Sequence, residues 1–350
     1  MPDRLLTRVE GPIGRITLNR ANALHALDTA TCADMIAALV AWREDQRVEA
    51  VMLDHKPGTR GFCAGGDVVA VRNSVLEDGG AAARAFFHAE YRLNHLLFTY
   101  GKPVIAFMDG VTMGGGVGIA MPATMRVATE NTLFAMPEGA IGLFPDVGGG
   151  YYLPRLPGEV GKFLTLTAAR LDGAECLWAG IATHYLDSED LDEAKEMIAR
   201  EPAAADEILR DLGSPPPAAR VAGNAEKVDR LFAGDTLEGI IAALSSDGSD
   251  WAAKELKAVT SKSPTSAKVA LRLFAESPNV ADLAAEMTKE YALAARIIEQ
   301  PDFVEGVRAL LVDKDNKPKW RPANPHDVDD DLLDALFAPL PPDQAWKPVA

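Results

Sequence analysis

The sequence predicts an α/β core followed by a helical C-terminal region. Three observations carry that expectation. Up to about Leu186, short apolar runs alternate with glycine turns and helical patterns. From about Leu191 no convincing strand follows until the tail, while apolar residues recur at helical spacing. Between the two regions, residues 202–219 are rich in alanine and proline and read as a connector or an irregular loop. The core is therefore expected over residues 1–200 and the helical region over 201–350.

Residues 5–9 and 15–18 read as short strands around the turn Gly11-Pro12-Ile13-Gly14, a hairpin signal. Residues 19–27 read as loop. Asp28 sits where it could cap a helix running to about Glu44, with Met35, Ile36, Leu39, Val40 and Trp42 near helical spacing. Residues 50–54 form a short apolar run expected as a buried strand. A long helix is expected over 81–100, ended by Lys102-Pro103, then strands at 104–108, 125–128 and 133–136. The hairpin leaves room for a mixed rather than wholly parallel sheet. Later helices are expected at 225–232, 237–244, 251–259, 265–274, 280–300 and 303–311. Asp235, with Glu238 three residues on, matches a capping box for one of them.

The 350 residues are 48% hydrophobic and 25% charged, ordinary for one large or two moderate globular domains. The 51 acidic against 35 basic residues give a net charge of −16, the opposite of a nucleic-acid binder's footprint. Any phosphate site must then be local. Cys32, Cys63 and Cys176 are too few and too scattered for a disulfide framework or a zinc cluster. The opening residues carry no apolar leader core, and no window is apolar over a bilayer's width. A cytoplasmic protein without membrane or nucleic-acid partners is the expectation.

Two glycine clusters bracket the strand-like run at 104–108: Phe62-Cys63-Ala64-Gly65-Gly66-Asp67, and Asp109-Gly110-Val111-Thr112-Met113-Gly114-Gly115-Gly116-Val117-Gly118. Glycine lets backbones approach closely, and an oxyanion hole needs two N–H donors converging in a dry site. Downstream, Glu138 and Asp146 sit among prolines and glycines. Ile141, Leu143 and Phe144 give them an apolar setting in which a carboxyl pKa rises toward a range useful for proton transfer. Their neighbours alone leave a solvated loop, or a helix cap at Asp146, equally open. Glu90, by spacing alone, reads as an exposed or salt-bridged helix position. The glycine run at 114–118 imitates a dinucleotide fingerprint, but residues 109–113 separate it from the preceding strand, which leaves a Rossmann reading as a minor alternative. The six histidines show no metal-like spacing, and no Gly-x-Ser-x-Gly elbow exists, so neither a metal nor a serine nucleophile is expected.

On these residues the chain resembles the crotonase family, also called the enoyl-CoA hydratase/isomerase superfamily. The resemblance runs from residue 5 to about 186, through Ile16-Thr17-Leu18-Asn19-Arg20, Ala23-Leu24-His25-Ala26-Leu27, 62–67 and 113–119. It implies a crotonase-like (ClpP/crotonase) spiral core of ββα units. It implies that the N–H groups of Gly66 and Gly115 bind a thioester oxygen. Ala64, Gly65, Gly66 and Asp67 would follow the pantetheine arm, with Ala26 near the CoA end. Glu138 matches one catalytic glutamate of the hydratases, whereas Gly118 stands where they carry the second, which disfavours two-glutamate hydration.

Within the family, the 3-hydroxyisobutyryl-CoA hydrolases, thioesterases of valine catabolism, are similar over nearly the whole chain. The carrying segments are 90–94, 113–118, 134–151, 263–268, 302–309 and 314–320. That resemblance implies an acyl pocket lined by Glu90, Gly115, Glu138 and Asp146. Glu138 would be nucleophile or general base, and Asp146 would orient water or the substrate hydroxyl. The implied reaction is hydrolysis of a short β-hydroxyacyl-CoA, with no cofactor beyond the CoA of the substrate itself. The runner-up is an enoyl-CoA hydratase or isomerase using Glu138 alone; from another class, a non-catalytic CoA-ester-binding protein. The family commonly forms trimers or dimers of trimers, and the helical tail leaves that packing open here.

Overall fold

The computed structural model describes residues 4–349. Met1–Asp3 and Ala350, the outer ends of the two expected regions, lie outside the described residues.

Two sheets share the core. The first takes its strands in the order β1 (Leu5–Glu10), β2 (Ile13–Leu18), β3 (Ala50–His55), β5 (Val104–Phe107), β7 (Met125–Ala128) and β10 (His184–Tyr185). The second runs β4 (Gly61–Cys63), β6 (Val111–Met113), β8 (Leu133–Ala135) and β9 (Leu171–Asp172). The chain thus lays one strand in each sheet per turn: β3 then β4, β5 then β6, β7 then β8. Helices close the turns: α2 (Val68–Asp78) and α3 (Ala81–Phe98) follow β4, and α4 (Gly115–Ala120) follows β6. This is the expected spiral of ββα units. The first sheet is mixed, because the β1–β2 hairpin is antiparallel while β2, β3, β5, β7 and β10 run parallel.

The central strands β3 and β5 of the first sheet are buried on both faces, with period-two alternation dividing their side chains, while the edge strand β1 is mostly exposed. Val51 and Leu53 of β3, with Val104 and Ala106 of β5, point into the main core. Ala50, Met52, Ile105 and Phe107 point the other way, into a second core with Leu191, Ile198 and Leu209. The main core extends from Leu5 to Trp346, so the later helices pack on the same apolar interior as the spiral.

Helix α1 (Thr29–Glu44) starts where expected, its Asp28 cap accepting from Thr31 N–H at 2.8 Å. Other elements depart from expectation. The alanine- and proline-rich connector contains a helix, Ala205–Asp211, whose Ala205, Ile208 and Leu209 are buried. The cap of the helix expected at 237–244 is Thr236, which accepts from Gly239 N–H at 3.1 Å, rather than Asp235. Glu238 does not complete a box; it pairs with Lys268 at 2.8 Å. The expected 303–311 helix begins at Pro301 and gives way to a wider π-type turn over Arg308–Val312.

Candidate active site

The two glycine clusters meet. Gly66 is pinned by a parallel bridge to Leu27, with Leu27 N–H donating to Gly65 O and Asp67 N–H to Leu27 O. Gly115 opens α4, and a Cβ placed on it would lie 3.2 Å from the Gly66 nitrogen and collide with Glu90 Oε1. Only glycine permits that approach. Among the described residues neither the Gly66 nor the Gly115 N–H has a protein acceptor. Both residues line a cavity of about 230 Å³.

Three carboxyls face the same cavity: Glu90 from α3, Glu138 from the 3₁₀ turn Glu138–Ile141, and Asp146 from the loop before α5 (Gly149–Tyr152). All are 4% exposed or less. The Glu90 reading from helical spacing, exposed or salt-bridged, is therefore wrong: the apolar side of α3 faces both core and cavity. Asp146 is not a helix cap either, since α5 is preceded by Gly148. Its Oδ2 instead accepts from the Tyr91 hydroxyl at 2.7 Å.

Burial dominates the electrostatics. It raises the Glu138 pKa well above the usual range, and the nearby Asp146 raises it further. Glu90 is pushed well up by burial, then by Asp146 and Glu138. Asp146 is raised to about 6 by burial, against the Tyr91 hydrogen bond, which lowers it. No cation is among these influences, so the negative charge of Asp146 disfavours ionisation of both glutamates. Glu90 Oε1 and Glu138 Oε2 are buried without a hydrogen-bond partner, as expected of groups awaiting a polar ligand.

At Gly118 a Cβ would meet Val147 Cβ at 2.6 Å and Asn94 Nδ2 at 2.8 Å. The space a second glutamate would need is filled. Val147 itself has φ +53°, a left-handed conformation costing a β-branched residue about 1–3 kcal/mol.

The apolar wall comprises Phe86, Phe87, Ile141 and Leu143, with Leu310 and Leu311 of the π-type turn closing one side. The C-terminal region also braces Glu138 from behind. Ser263 N–H donates to Gly139 O at 3.1 Å, and the Ser263 hydroxyl donates to buried Asp302 at 2.6 Å. Ala64 and Gly65 line the cavity, but Ala26 and Asp67 do not. Ala26 belongs to a turn against the first cluster, where Leu24 O accepts from Ala64 N–H at 3.0 Å. Asp67 pairs with Arg20 at 2.8 Å and caps α2 through Ala70 N–H.

Sequence reasoning missed Tyr91, the filled space at Gly118, and Glu290, whose carboxylate holds the Asp146 loop. One signal was available for Glu290. Glu286 and Glu290 lie one helical turn apart among Leu283, Met287 and Tyr291, an apolar face that has no reason to carry carboxyls unless they find partners. No metal-holding group of three ligands and no helix able to cross a membrane occur among the described residues.

The model of the enoyl-CoA hydratase/isomerase family matches residues 13–337. A protein of Xenopus laevis named 3-hydroxyisobutyryl-CoA hydrolase, mitochondrial, is 41% identical over 96% of this chain and 89% of its own. Two crystal structures are similar throughout. One is described as a carnitinyl-CoA dehydratase from Mycobacterium thermoresistibile, with 38% identity, TM-score 0.92 and coverage of 97% of this chain and 98% of that one. The other is described as an enoyl-CoA hydratase from Rhodobacter sphaeroides, with 36% identity, TM-score 0.90 and coverage of 99% and 100%.

Proposed function

Because the chain belongs to the enoyl-CoA hydratase/isomerase family, we propose that it hydrolyses a short β-hydroxyacyl-CoA, 3-hydroxyisobutyryl-CoA, to the free acid and CoA. One observation carries the choice of hydrolysis over addition of water to a double bond. The place of a second catalytic glutamate is Gly118, sealed by Val147 and Asn94, so Glu138 works with Asp146 and Glu90 instead. The acyl group is assigned from relatives such as the Xenopus hydrolase, aligned over 96% of the chain. A cavity of about 230 Å³ suits a four-carbon branched acyl end, being below the roughly 300–1,000 Å³ of whole-ligand pockets.

In the proposed reaction the thioester oxygen accepts from the Gly66 and Gly115 N–H groups, which hold the oxyanion as the carbonyl carbon becomes tetrahedral. Each such donor typically lowers the barrier by about 3–4 kcal/mol. Glu138 either takes a proton from the attacking water or attacks to give a mixed anhydride that water opens. On both routes the C–S bond breaks, the carbon gains a hydroxyl oxygen from water, and the CoA sulfur leaves with a proton. Burial raises the proton affinity of Glu138, so that once ionised it is a stronger proton acceptor than a solvated carboxylate. Asp146, held by Tyr91, accepts from the water or the β-hydroxyl; Glu90 in its protonated form donates to that hydroxyl.

Free thiol released from 3-hydroxyisobutyryl-CoA, followed with a thiol-reactive dye, tests the reading. Glu138→Gln should cut turnover about 10²–10⁴-fold while CoA-ester binding persists. Equal turnover in that variant sinks the role of Glu138. The names of the two similar crystal structures favour a second reading, addition or removal of water using Glu138 alone. Loss of the crotonyl-CoA double bond without thiol release would establish it. A cytoplasmic location and a trimeric or hexameric assembly remain proposals from the sequence, beside relatives named mitochondrial; fractionation and light scattering test them.

A further inference from the structure

The helix Leu283–Ile297 lies more than a hundred residues beyond the catalytic loop, yet one of its faces backs onto that loop. Glu290 is fully buried, and both its oxygens are engaged. Oε2 accepts from Gly148 N–H at 2.8 Å and Oε1 from Gly150 N–H at 2.9 Å. On the same face, the Tyr291 ring stands edge-on to Tyr91 with centroids 6.4 Å apart. Met287 adds its methyl group, 3.2 Å from where a Cβ on Gly148 would lie.

Gly148 N–H, the first of the two amides held by Glu290, follows directly on Val147, whose conformation is unfavourable by itself. Val147 has φ +53° and Gly148 φ +90°. A β-branched residue adopts the left-handed region only when its surroundings over-determine it. Both chemical features of this loop depend on that conformation: Asp146 reaches the Tyr91 hydroxyl, and Val147 fills the space against Gly118.

We propose that Glu290 is a positioning residue of this active site. Its carboxylate clamps Gly148 and Gly150, keeps Val147 in its left-handed turn, and thereby fixes Asp146 on Tyr91 and Val147 against Gly118. The inference rests on the proposed function only for the reaction that is timed; the clamp is a matter of geometry.

A merely structural Glu290 would stabilise the fold and leave the chemistry of folded molecules unchanged, so the test separates the two. Glu290→Gln keeps the side-chain length but turns an NH₂ toward one of the amide N–H groups, losing one bond of the pair. Glu290→Asp keeps both acceptors on a shorter arm. Ile240→Ala, a buried cavity substitution on the Leu237–Asp247 helix, supplies a destabilised control outside the cluster. Misplacing a catalytic group by about 1 Å costs roughly 10²-fold, so Glu290→Gln should lower kcat about 10–100-fold with KM within about threefold. Glu290→Asp should recover part of that loss, and Ile240→Ala should lower Tm without lowering kcat. If Glu290→Gln loses Tm as the control does but keeps kcat within about twofold, the proposal is overturned.

The same kcat comparison runs on crotonyl-CoA hydration should the wild type perform that reaction instead. Failure of the hydrolase reading thus shows in the wild type, and failure of the clamp shows in the variants. If neither Glu290 variant folds, peptide-resolved hydrogen exchange of the wild-type protein decides. Residues 146–150 should be protected as strongly as α3, and exchange at the rate of an open loop overturns the clamp.

Discussion

The backbone of Gly118 looks onto Val147 Cβ and Asn94 Nδ2, 2.6 and 2.8 Å from where a side chain would begin. The Asn94 amide can turn, but Val147 cannot yield cheaply, since its Cβ is set by its left-handed turn. Gly118→Glu should therefore not create a two-glutamate hydratase. Overpacking of this kind costs about 1–3 kcal/mol, more with a buried charge, so Tm should fall and crotonyl-CoA hydration should stay at background. A gain of hydration in that variant would show that the space can open. Glu138 and Asp146 stood out among glycines and prolines, but those neighbours left a solvated loop equally open, and Gly118 took its meaning only from the family resemblance. Glu90 did not stand out, because its helical spacing fits an exposed position as well as a buried one; only the family resemblance pointed inward. Tyr91 and Glu290 find their partners 55 and 142 residues away, a relation that no local pattern carries.

At the scale of elements, long periodic segments were readable and short ones were not. Helices α1 and α3 came from apolar spacing and end signals. Strands β9 and β10 have two residues each, too few to show an alternation, and they exist because neighbouring strands offer them an edge. The packing of Pro301–Val307 on the Glu138 turn was equally invisible. Gly306 there has no room for a methyl group: a Cβ would meet Ile141 Cα at 2.6 Å and its carbonyl carbon at 2.5 Å. Backbone cannot rotate out of the way as a side chain can, so Gly306→Ala must push Glu138–Ile141 toward the cavity or open the contact. The expected outcome is a loss of about 1–3 kcal/mol with kcat lowered more than KM is raised. Thermal melts and steady-state thiol release check it together, and unchanged kcat would mean that the turn moves without moving Glu138.

Across the rest of the molecule, buried carboxyls such as Asp54 and Glu286 have a cation at hand. In the cavity, Glu90, Glu138 and Asp146 are buried with no cation among the influences on them, and stability carries the cost. For Asp146 the sign follows from linkage. Its pKa in the folded chain is about 6, against 3.8 when free. A group bound more tightly by protons in the folded state contributes stability that is complete below about pH 4 and lost as pH rises to about 6. Taken alone the displacement is on the order of 3 kcal/mol. Other groups titrate across the same window with the opposite sign, among them His25, lowered to about 4 by burial, so the raw pH profile of the protein mixes them. Asp146→Asn isolates the carboxyl's contribution, because the histidines are common to both proteins and the amide oxygen can still accept from Tyr91. Melts between pH 5 and 7.5 should show the Asp146→Asn variant increasingly more stable than wild type as pH rises, with the difference level above about pH 6.5 while thiol release is nearly lost. A difference that stays constant across that range would mean that Asp146 is already ionised in the folded chain at pH 5. One still growing at pH 7.5 would mean that it keeps its proton at neutral pH, and its place as acceptor in the proposed reaction would fall to Glu138 alone.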